Sequence, residues 1–205
     1  MLTVLRKTAF ANSTMKNGGW DKSKFTGLEL SDKKIGILGF GQIGKIVAKR
    51  LQGFDPEILF YDPFCESSDI PNCTKAKNLE EIFETCDVIT IHTPLMPETK
   101  NMVNKELLSK MKSSAIIVNA ARGGIVDEDA LYEILNEGII RGAGFDVFAT
   151  EPLPEDSNLR SLPNLVLTPH LGAATEEAQL RVGVMAVEQL KEFFLNNNLL
   201  NEVKA

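Results

Sequence analysis

The sequence predicts an α/β fold, a single domain built on a doubly wound parallel sheet. From residue 33 onward, short apolar runs alternate with helical patterns. Most of the runs are nearly continuous in apolar residues, which is typical of parallel strands covered on both faces. A glycine-rich turn joins the first run to the first helical pattern. Repeated βα units of this length favour a doubly wound sheet over a sandwich or a helical bundle.

The apolar runs and the helical patterns predict the elements in order. Strands are expected at 34–38, 58–61, 88–91, 115–119, 143–147 and 165–167. Helices are expected at 43–51, 79–83, 105–111, 127–135 and 175–194, the last with Thr175 as its N-cap. Residues 62–78 and 149–164 are predicted to be irregular. Before the sheet, Leu2, Leu5 and Ala9 are expected to share one face of a short helix that ends near Gly18.

Composition excludes several classes of protein. The chain of 205 residues is 43% hydrophobic, which is enough for a sizeable core, and its net charge of −6 argues against binding nucleic acid. No apolar run approaches the roughly 18 residues needed to cross a membrane. Cys65, Cys73 and Cys86 form no CxxC pair and are odd in number, so neither a disulfide framework nor a zinc site is indicated. Reduced thiols and a cytoplasmic location are expected.

The turn after the first strand carries a dinucleotide fingerprint, within the stretch KKIGILGFGQIGK. Gly39 would permit the tight turn, Gly41 would let the backbone approach a pyrophosphate, and Gly44 would let the helix pack on the strand. The motif alone is weak evidence, but here it follows a strand and opens a helix. The helix N-terminus then offers free N–H groups to phosphates. We therefore expect a Rossmann-type fold.

Asp62 ends the second strand, 18 residues after Gly44. A carboxylate at this point can accept hydrogen bonds from the adenosine ribose hydroxyls and repels a 2′-phosphate, so it favours NAD over NADP. The alternative is that Asp62 merely begins a turn before Pro63.

Three polar residues follow three other predicted strands: Arg122 in VNAARGG, Glu151 in FDVFATEP and His170 in LTPHLG. Singly, each is more often a solvated charge or a structural histidine. Because the carboxyl ends of parallel strands meet at one edge, the three are expected at one crevice with the glycine turn. A cation, a carboxylate and an imidazole suit hydride transfer at a secondary alcohol, with a histidine as the base. The chain has two histidines, His92 and His170.

Five stretches of the chain together resemble the D-isomer-specific 2-hydroxyacid dehydrogenases, and within them the 3-phosphoglycerate-oxidising branch. The stretches are WDKSKFTGLELSDKKIGILGFGQIG, CDVITIHTPLMPETKNMVN, VNAARGGIVDEDAL, GAGFDVFATEPLP and LPNLVLTPHLGAATEEAQ. The resemblance implies that Arg122, Glu151 and His170 are catalytic, with NAD as the cofactor and 3-phosphoglycerate as the favoured D-2-hydroxy acid.

The same resemblance implies a set of cofactor contacts. Asp146 would contact the nicotinamide carboxamide, and His92 would lie beside the cofactor unless its role is structural. The remaining contacts are Gly39, Gly41, Gln42, Ile43, Gly44, Asp62, Thr93, Pro94, Ala120, Ala121, Arg122, His170 and Gly172.

The chain departs from the family in its layout. In the family a substrate-binding segment precedes the nucleotide-binding domain. Here residues 1–30 resemble the remnant of an interdomain helix and its connecting arm, 31–175 the NAD-binding domain, and 176–205 a helix that would return toward the substrate domain. A homodimer is expected, and a separate chain could supply the substrate domain.

The sequence is therefore compatible with three functions. The first is a dehydrogenase, and the second is an NAD-binding, dimerising module without turnover. The third is another Rossmann-type domain, for example one that binds S-adenosylmethionine, which leaves Arg122, Glu151 and His170 as coincidences.

Overall fold

A parallel sheet of seven strands runs through the computed structural model, which describes residues 1–201. The strands are β1 Lys34–Leu38, β2 Glu57–Tyr61, β3 Cys73–Lys75, β4 Val88–Ile91, β5 Ile116–Asn119, β6 Gly142–Phe145 and β7 Leu165–Leu167. Their order across the sheet is β3-β2-β1-β4-β5-β6-β7, and every neighbouring pair is parallel. The predicted α/β doubly wound sheet is confirmed.

Four of the seven helices in residues 1–201 begin at a side chain that caps them. The helices are α1 Leu2–Leu5, α2 Thr8–Lys16, α3 Gln42–Leu51, α4 Leu79–Thr85, α5 Lys105–Ser109, α6 Glu128–Asn136 and α7 Glu176–Asn196. Asn78, Asn104 and Asp127 accept hydrogen bonds from the first turns of α4, α5 and α6. Each cap satisfies N–H groups that have no partner within the helix.

The core lies on both faces of the sheet. Along β1, Ile35 and Ile37 belong to one apolar cluster and Leu38 to another, because successive side chains of a strand point to opposite faces. The first cluster packs against α1 and α3, and the second packs against α4, α5 and α6. Helices on both faces explain why the strands are apolar without alternation.

The N-terminal helix differs from its prediction. Residues 2–16 form two helices rather than one, and the break falls at Lys7, which has a left-handed φ of 53°. Val4 and Leu5 are buried while Leu2 is 49% exposed, so the predicted face of Leu2, Leu5 and Ala9 is wrong. The physical reason is packing: a Cβ built on Gly144 of β6 would lie 2.9 Å from Val4 Cγ2, so α1 is fitted against a glycine of the sheet.

Two other predictions need correction. The segment 62–78, predicted to be irregular, contains the edge strand β3, in which Cys73 pairs with Ile58 of β2. β6 spans 142–145 rather than 143–147. The segment 149–164 is irregular as predicted, apart from one 3-10 turn at Asn158–Ser161.

The structure divides into two compact units, residues 1–169 and the residues from His170 onward. The whole sheet belongs to the first unit. The second contains α7, whose first turn is capped by Thr175 as predicted, through a bond from the Ala178 N–H. The predicted boundaries at 30/31 and 175/176 stay predictions.

The three cysteines are free thiols, as expected. Burial raises the pKa of Cys86 to about 12, so this thiol stays protonated near neutral pH. Among residues 1–201, no helix combines the length and the apolar character that crossing a bilayer requires.

The stack of Phe40 on Phe60 links the glycine turn to the core and gives a stability prediction. The ring centroids are 3.9 Å apart, and Phe60 is fully buried in β2. Phe60→Ala is expected to lower the free energy of unfolding by about 3–5 kcal/mol, because it leaves a cavity. Phe64→Ala is the matched control, since Phe64 is 94% exposed. Urea unfolding of both variants measures the difference, and equal losses would contradict this description of the core.

Candidate active site

The predicted site residues of the first unit follow the carboxyl ends of five neighbouring strands. Asp62 follows β2, Gly39 follows β1, His92 follows β4, Ala120 follows β5 and Asp146 follows β6. The chain leaves β1 toward β2 and later returns to β4 on the other side of β1. This makes the β1–β4 boundary the topological switch point, where open α/β sheets bind ligands.

Two glycines of the fingerprint are required by the protein itself. Gly39 has a φ of +89°, and a Cβ there would lie 2.7 Å from the backbone of His92 and Thr93. The His92 N–H donates to the Leu38 carbonyl at 2.6 Å, which holds these segments together. A Cβ on Gly44 would lie 2.2 Å from the Gly39 carbonyl oxygen. Any side chain at either position would push the turn off the sheet.

Gly41 is different, because nothing in residues 1–201 requires a glycine there. A Cβ at Gly41 would meet none of their atoms within 4 Å, and the extended backbone (φ −72°, ψ −157°) suits any residue. The open space lies at the N-terminus of α3, a helix of ten residues whose first N–H groups have no partner within the helix and are available to an anion. This is the geometry that a pyrophosphate fills.

A buried hydroxyl near the same turn also points to a ligand. Thr93 Oγ1 is buried and has no hydrogen-bond partner within residues 1–201. Thr93 follows His92, whose backbone contacts Gly39. A buried polar atom without a partner costs free energy unless something absent from the protein satisfies it. Together with the space at Gly41, Thr93 indicates that these residues fit a dinucleotide, with Gln42 and Ile43 exposed at the mouth of the turn.

Asp62 holds the glycine turn as well as its own loop. Its Oδ2 accepts a hydrogen bond from the Phe40 N–H at 2.7 Å, and its Oδ1 accepts one from the Phe64 N–H at 2.8 Å. The second bond is the one expected if Asp62 only begins a turn before Pro63. The first brings the carboxylate to the fingerprint itself. The ribose contact stays a prediction, now with an added bracing role for the same side chain.

His92 is held as a neutral side chain. Its Nε2 lies 3.1 Å from Thr90 Oγ1, and burial lowers its pKa to about 4. An imidazole with this pKa is uncharged near pH 7 and binds a proton too weakly to serve as the base of the reaction. The structural role left open for His92 is thus supported, although a contact with the cofactor stays predicted.

Asn119 organises the loop that carries Arg122. This side chain is fully buried at the end of β5; its amide donates to the Arg122 carbonyl at 2.9 Å, and its oxygen accepts from the Ala121 N–H at 3.1 Å. The exposed Arg122 guanidinium donates to the Ala121 carbonyl at 2.7 Å. The sequence motifs do not single out Asn119. A polar residue that ends an apolar strand was the available signal.

Asp146 joins the ends of three strands. Its N–H donates to the Asn119 carbonyl at 2.9 Å, and its carboxylate accepts a short hydrogen bond from the Thr168 hydroxyl. Thr168 directly follows β7 and was also not assigned a role from the sequence. Asp146 is 9% exposed, so this carboxylate is fixed by the protein at the edge where the resemblance puts the nicotinamide.

Glu151 and His170 lie in different units. The Glu151 Oε1 accepts a hydrogen bond from the Phe148 N–H at 2.9 Å, which folds the loop after β6 back on itself. His170 has a φ of 56°, a left-handed backbone that is uncommon for a residue with a side chain and often marks functional positions. The roles of Glu151, His170 and Gly172 stay predictions.

The chain belongs to the D-isomer-specific 2-hydroxyacid dehydrogenases. Residues 1–172 match the model of the family's NAD-binding domain. Among curated proteins, the chain is 42% identical to a D-3-phosphoglycerate dehydrogenase of Methanocaldococcus jannaschii over 98% of its own length. It is 45% identical to a hydroxypyruvate reductase of Thermotoga maritima over 93% of its length. The cofactor of this domain is NAD.

A solved structure extends the likeness to three dimensions. The NAD-dependent formate dehydrogenase of Staphylococcus aureus, in complex with NAD, superposes with a TM-score of 0.89 at 35% identity over all of this chain. The chain spans 39% of the length of the Methanocaldococcus relative, 62% of the Thermotoga relative and 62% of the formate dehydrogenase.

The double role of Asp62 gives a prediction that separates bracing from cofactor choice. Asp62→Ala removes the acceptor for Phe40 N–H and the negative charge that repels a 2′-phosphate. We expect the affinity for NADH to fall about tenfold and the affinity for NADPH to fall less. The preference for NADH over NADPH should therefore decrease. Fluorescence titration with both nucleotides measures the two effects. Asp69→Ala, which removes an exposed carboxylate in the same loop, is the control. An unchanged NADH/NADPH ratio would place the ribose contact elsewhere.

Proposed function

We propose that this chain is the cofactor-binding and catalytic part of an NAD-dependent D-2-hydroxyacid dehydrogenase. Family membership supports the reaction class. The observation that carries the proposal is the position of Arg122 and Glu151, on the loops that follow β5 and β6, at the same sheet edge as the space at Gly41. In a dinucleotide-binding domain of another kind, the presence of this cation and this carboxylate at that edge would be a coincidence.

Arg122 would bind and polarise the substrate. Its planar guanidinium can hold a carboxylate through two parallel hydrogen bonds, and it can stabilise negative charge on the neighbouring oxygen. Asn119 fixes the backbone on which Arg122 stands, so the guanidinium is carried on a preorganised loop. When bound, NAD supplies the hydride acceptor.

His170 would act as the general base and acid. In oxidation it takes the hydroxyl proton of the substrate, and in reduction it returns that proton to the carbonyl oxygen. Glu151, paired with it, would favour the protonated imidazole and hold its orientation. Chain connectivity keeps His170 within three residues of the end of β7. The low pKa of His92 leaves His170 as the better candidate of the two histidines.

The substrate class follows from the relatives and is the finer part of the proposal. One relative is a D-3-phosphoglycerate dehydrogenase and another a hydroxypyruvate reductase. Both names describe short acids with oxygen at the second carbon. We favour D-3-phosphoglycerate as the substrate, with other D-2-hydroxy acids as alternatives. We also propose that the protein acts in the cytoplasm.

Turnover by the purified chain tests the proposal. We expect NADH to form from NAD and D-3-phosphoglycerate or another D-2-hydroxy acid, with the L-isomers as controls. His170→Ala should lower kcat by about 10²–10⁴-fold, because the base is removed, and should change NADH affinity by less than about threefold.

Each other outcome favours a different function. NADH binding without turnover of any acid would support a cofactor-binding module that does not act alone, or one that needs a separate chain to supply the substrate domain. Tighter binding of S-adenosylmethionine than of NADH would support the third function. A large loss of NADH affinity in His170→Ala would contradict its role as the base.

An exposed aromatic surface in the N-terminal arm supports a homodimer. Trp20 is 85% exposed and Met15 is 50% exposed. Both line a groove of about 570 Å³ to which Phe25 and Leu28 also contribute. Exposed apolar groups clustered in this way mark protein contacts more often than isolated ones do. A second copy of the chain is the occupant we propose.

Light scattering tests the dimer. The wild-type chain is expected at twice its mass of 22.6 kDa, and Trp20→Lys at the monomer mass, because a charge in an apolar interface is costly. Phe64→Lys places the same charge at an equally exposed aromatic position outside the groove and should leave the dimer intact. A monomeric wild-type chain would refute the proposal.

A further inference from the structure

The loops that carry Arg122 and Glu151 touch through their backbones. A Cβ built on Gly123 would lie 1.8 Å from the Phe148 carbonyl oxygen and 2.6 Å from the Ala149 nitrogen. Real Cβ atoms essentially never come closer than 3.0 Å. The residue that follows Arg122 is therefore in direct backbone contact with the turn that leads to Glu151. No side chain fits between the two loops.

A second contact joins the same two loops through a side chain. Glu128 begins α6, six residues after Arg122, and its Oε1 accepts a hydrogen bond from the Ala149 N–H at 2.6 Å. In the same turn, the Phe148 N–H donates to Glu151. The two successive N–H groups of this turn thus bind two different carboxylates, one from each loop.

The stretch between Arg122 and Glu128 has little freedom of its own. The Asn101 N–H donates to the Gly124 carbonyl at 2.8 Å, and the Val103 N–H donates to the Ile125 carbonyl at 3.1 Å. Val103 and Val126 also form a parallel β-bridge. The position of Glu128 is therefore fixed relative to the Arg122 loop.

The pKa of Glu128 agrees with a position of its carboxyl close to the loop that carries Glu151. The pKa of Glu128 is raised, first by burial and then by the negative charges of Asp129, Asp127 and Glu151, while the Ala149 N–H lowers it. Asp127 is the N-cap of α6 and Asp129 lies in its first turn, whereas Glu151 belongs to the opposite loop. Protein structures seldom place like charges together unless another contact requires it.

We propose that Gly123 and Glu128 are positioning residues that set the separation between the Arg122 guanidinium and the Glu151 carboxylate. Gly123 fixes the closest approach of the two loops, and Glu128 keeps them from moving apart. Neither residue touches the reacting atoms. This inference rests on the proposed function, because the separation matters for catalysis only if Arg122 and Glu151 serve one reaction.

Three variants test the two contacts in the full chain. Gly123→Ala forces the loops apart, and Glu128→Ala removes the acceptor for the Ala149 N–H. We expect Gly123→Ala to lower kcat on the order of 100-fold, because displacements of about 1 Å have that effect. Glu128→Ala should lower kcat about tenfold, and Glu128→Gln, which keeps an acceptor, should recover most of that loss. NADH affinity should stay within about threefold in all three.

Matched controls separate position from charge and from the substitution itself. Asp129→Asn removes a neighbouring exposed charge of α6 and leaves the Ala149 N–H its acceptor. Gly53→Ala adds a Cβ that meets nothing within 4 Å. Both should leave kcat within about twofold of the wild type. If Glu128→Gln is as slow as Glu128→Ala, or if Asp129→Asn is equally slow, charge and not position is responsible and the inference fails.

Backbone NMR of the ligand-free chain gives a readout that does not depend on turnover. Gly123→Ala should shift the amide resonances of Phe148, Ala149 and Glu151, and Glu128→Ala should speed hydrogen exchange at Ala149. Unchanged resonances and exchange would overturn the inference even if the enzyme is active. If these amides respond as expected while the wild-type chain turns over no acid, the contacts stand, and it is the proposed function that fails.

Discussion

The contact between Gly39 and the His92–Thr93 peptide is the constraint on which the site depends. Strands β1 and β4 are neighbours, so the turns that leave them must share one narrow space at the carboxyl edge. The φ of +89° at Gly39 and the absence of a side chain allow that approach. Once the turn is seated, α3 starts at a fixed point, and the Phe40 N–H points at the Asp62 carboxylate. Strand packing and the position of the Asp62 carboxylate are therefore set by one turn.

The three glycines of the fingerprint exist for two different reasons. Gly39 and Gly44 satisfy the protein, since a Cβ at either would meet backbone at 2.7 Å and 2.2 Å. No such contact requires Gly41, because a Cβ there would meet no atom within 4 Å in the described part of the chain, and a bound ligand is the reason we predict for it. A domain that had lost its cofactor would be free to replace Gly41 while it kept the other two. The presence of all three thus supports a retained nucleotide site more strongly than the motif does as a pattern.

The sequence predicts the sheet well because its strands are buried on both faces and so leave a continuous apolar signal. It fails where that signal is absent. β3 has three residues at the sheet edge, and the break at Lys7 depends on how Val4 packs against a distant glycine of β6. The position of the candidate site residues at one sheet edge was predictable because they follow strands of one parallel sheet, while their roles stay predictions. Thr168 and Glu128 were not predictable, because their hydrogen bonds join segments more than 20 residues apart in the chain. Asn119 was not, because its two bonds depend on the conformation of the loop that follows it.

Asn119 and Thr168 explain how a site built from loops can be rigid. Loops are usually the mobile part of a domain, yet here the ends of β5, β6 and β7 are tied together, since Asp146 bonds to Asn119 and Thr168 bonds to Asp146. Asn119 in turn holds the Arg122 loop. Burying these polar groups is favourable only because they satisfy one another. A network of this kind resists partial opening, since breaking one bond leaves a buried group without a partner. Polar groups fixed in advance need little reorganisation when charge develops on a substrate, and that is the condition under which a guanidinium and a carboxylate contribute most to a reaction.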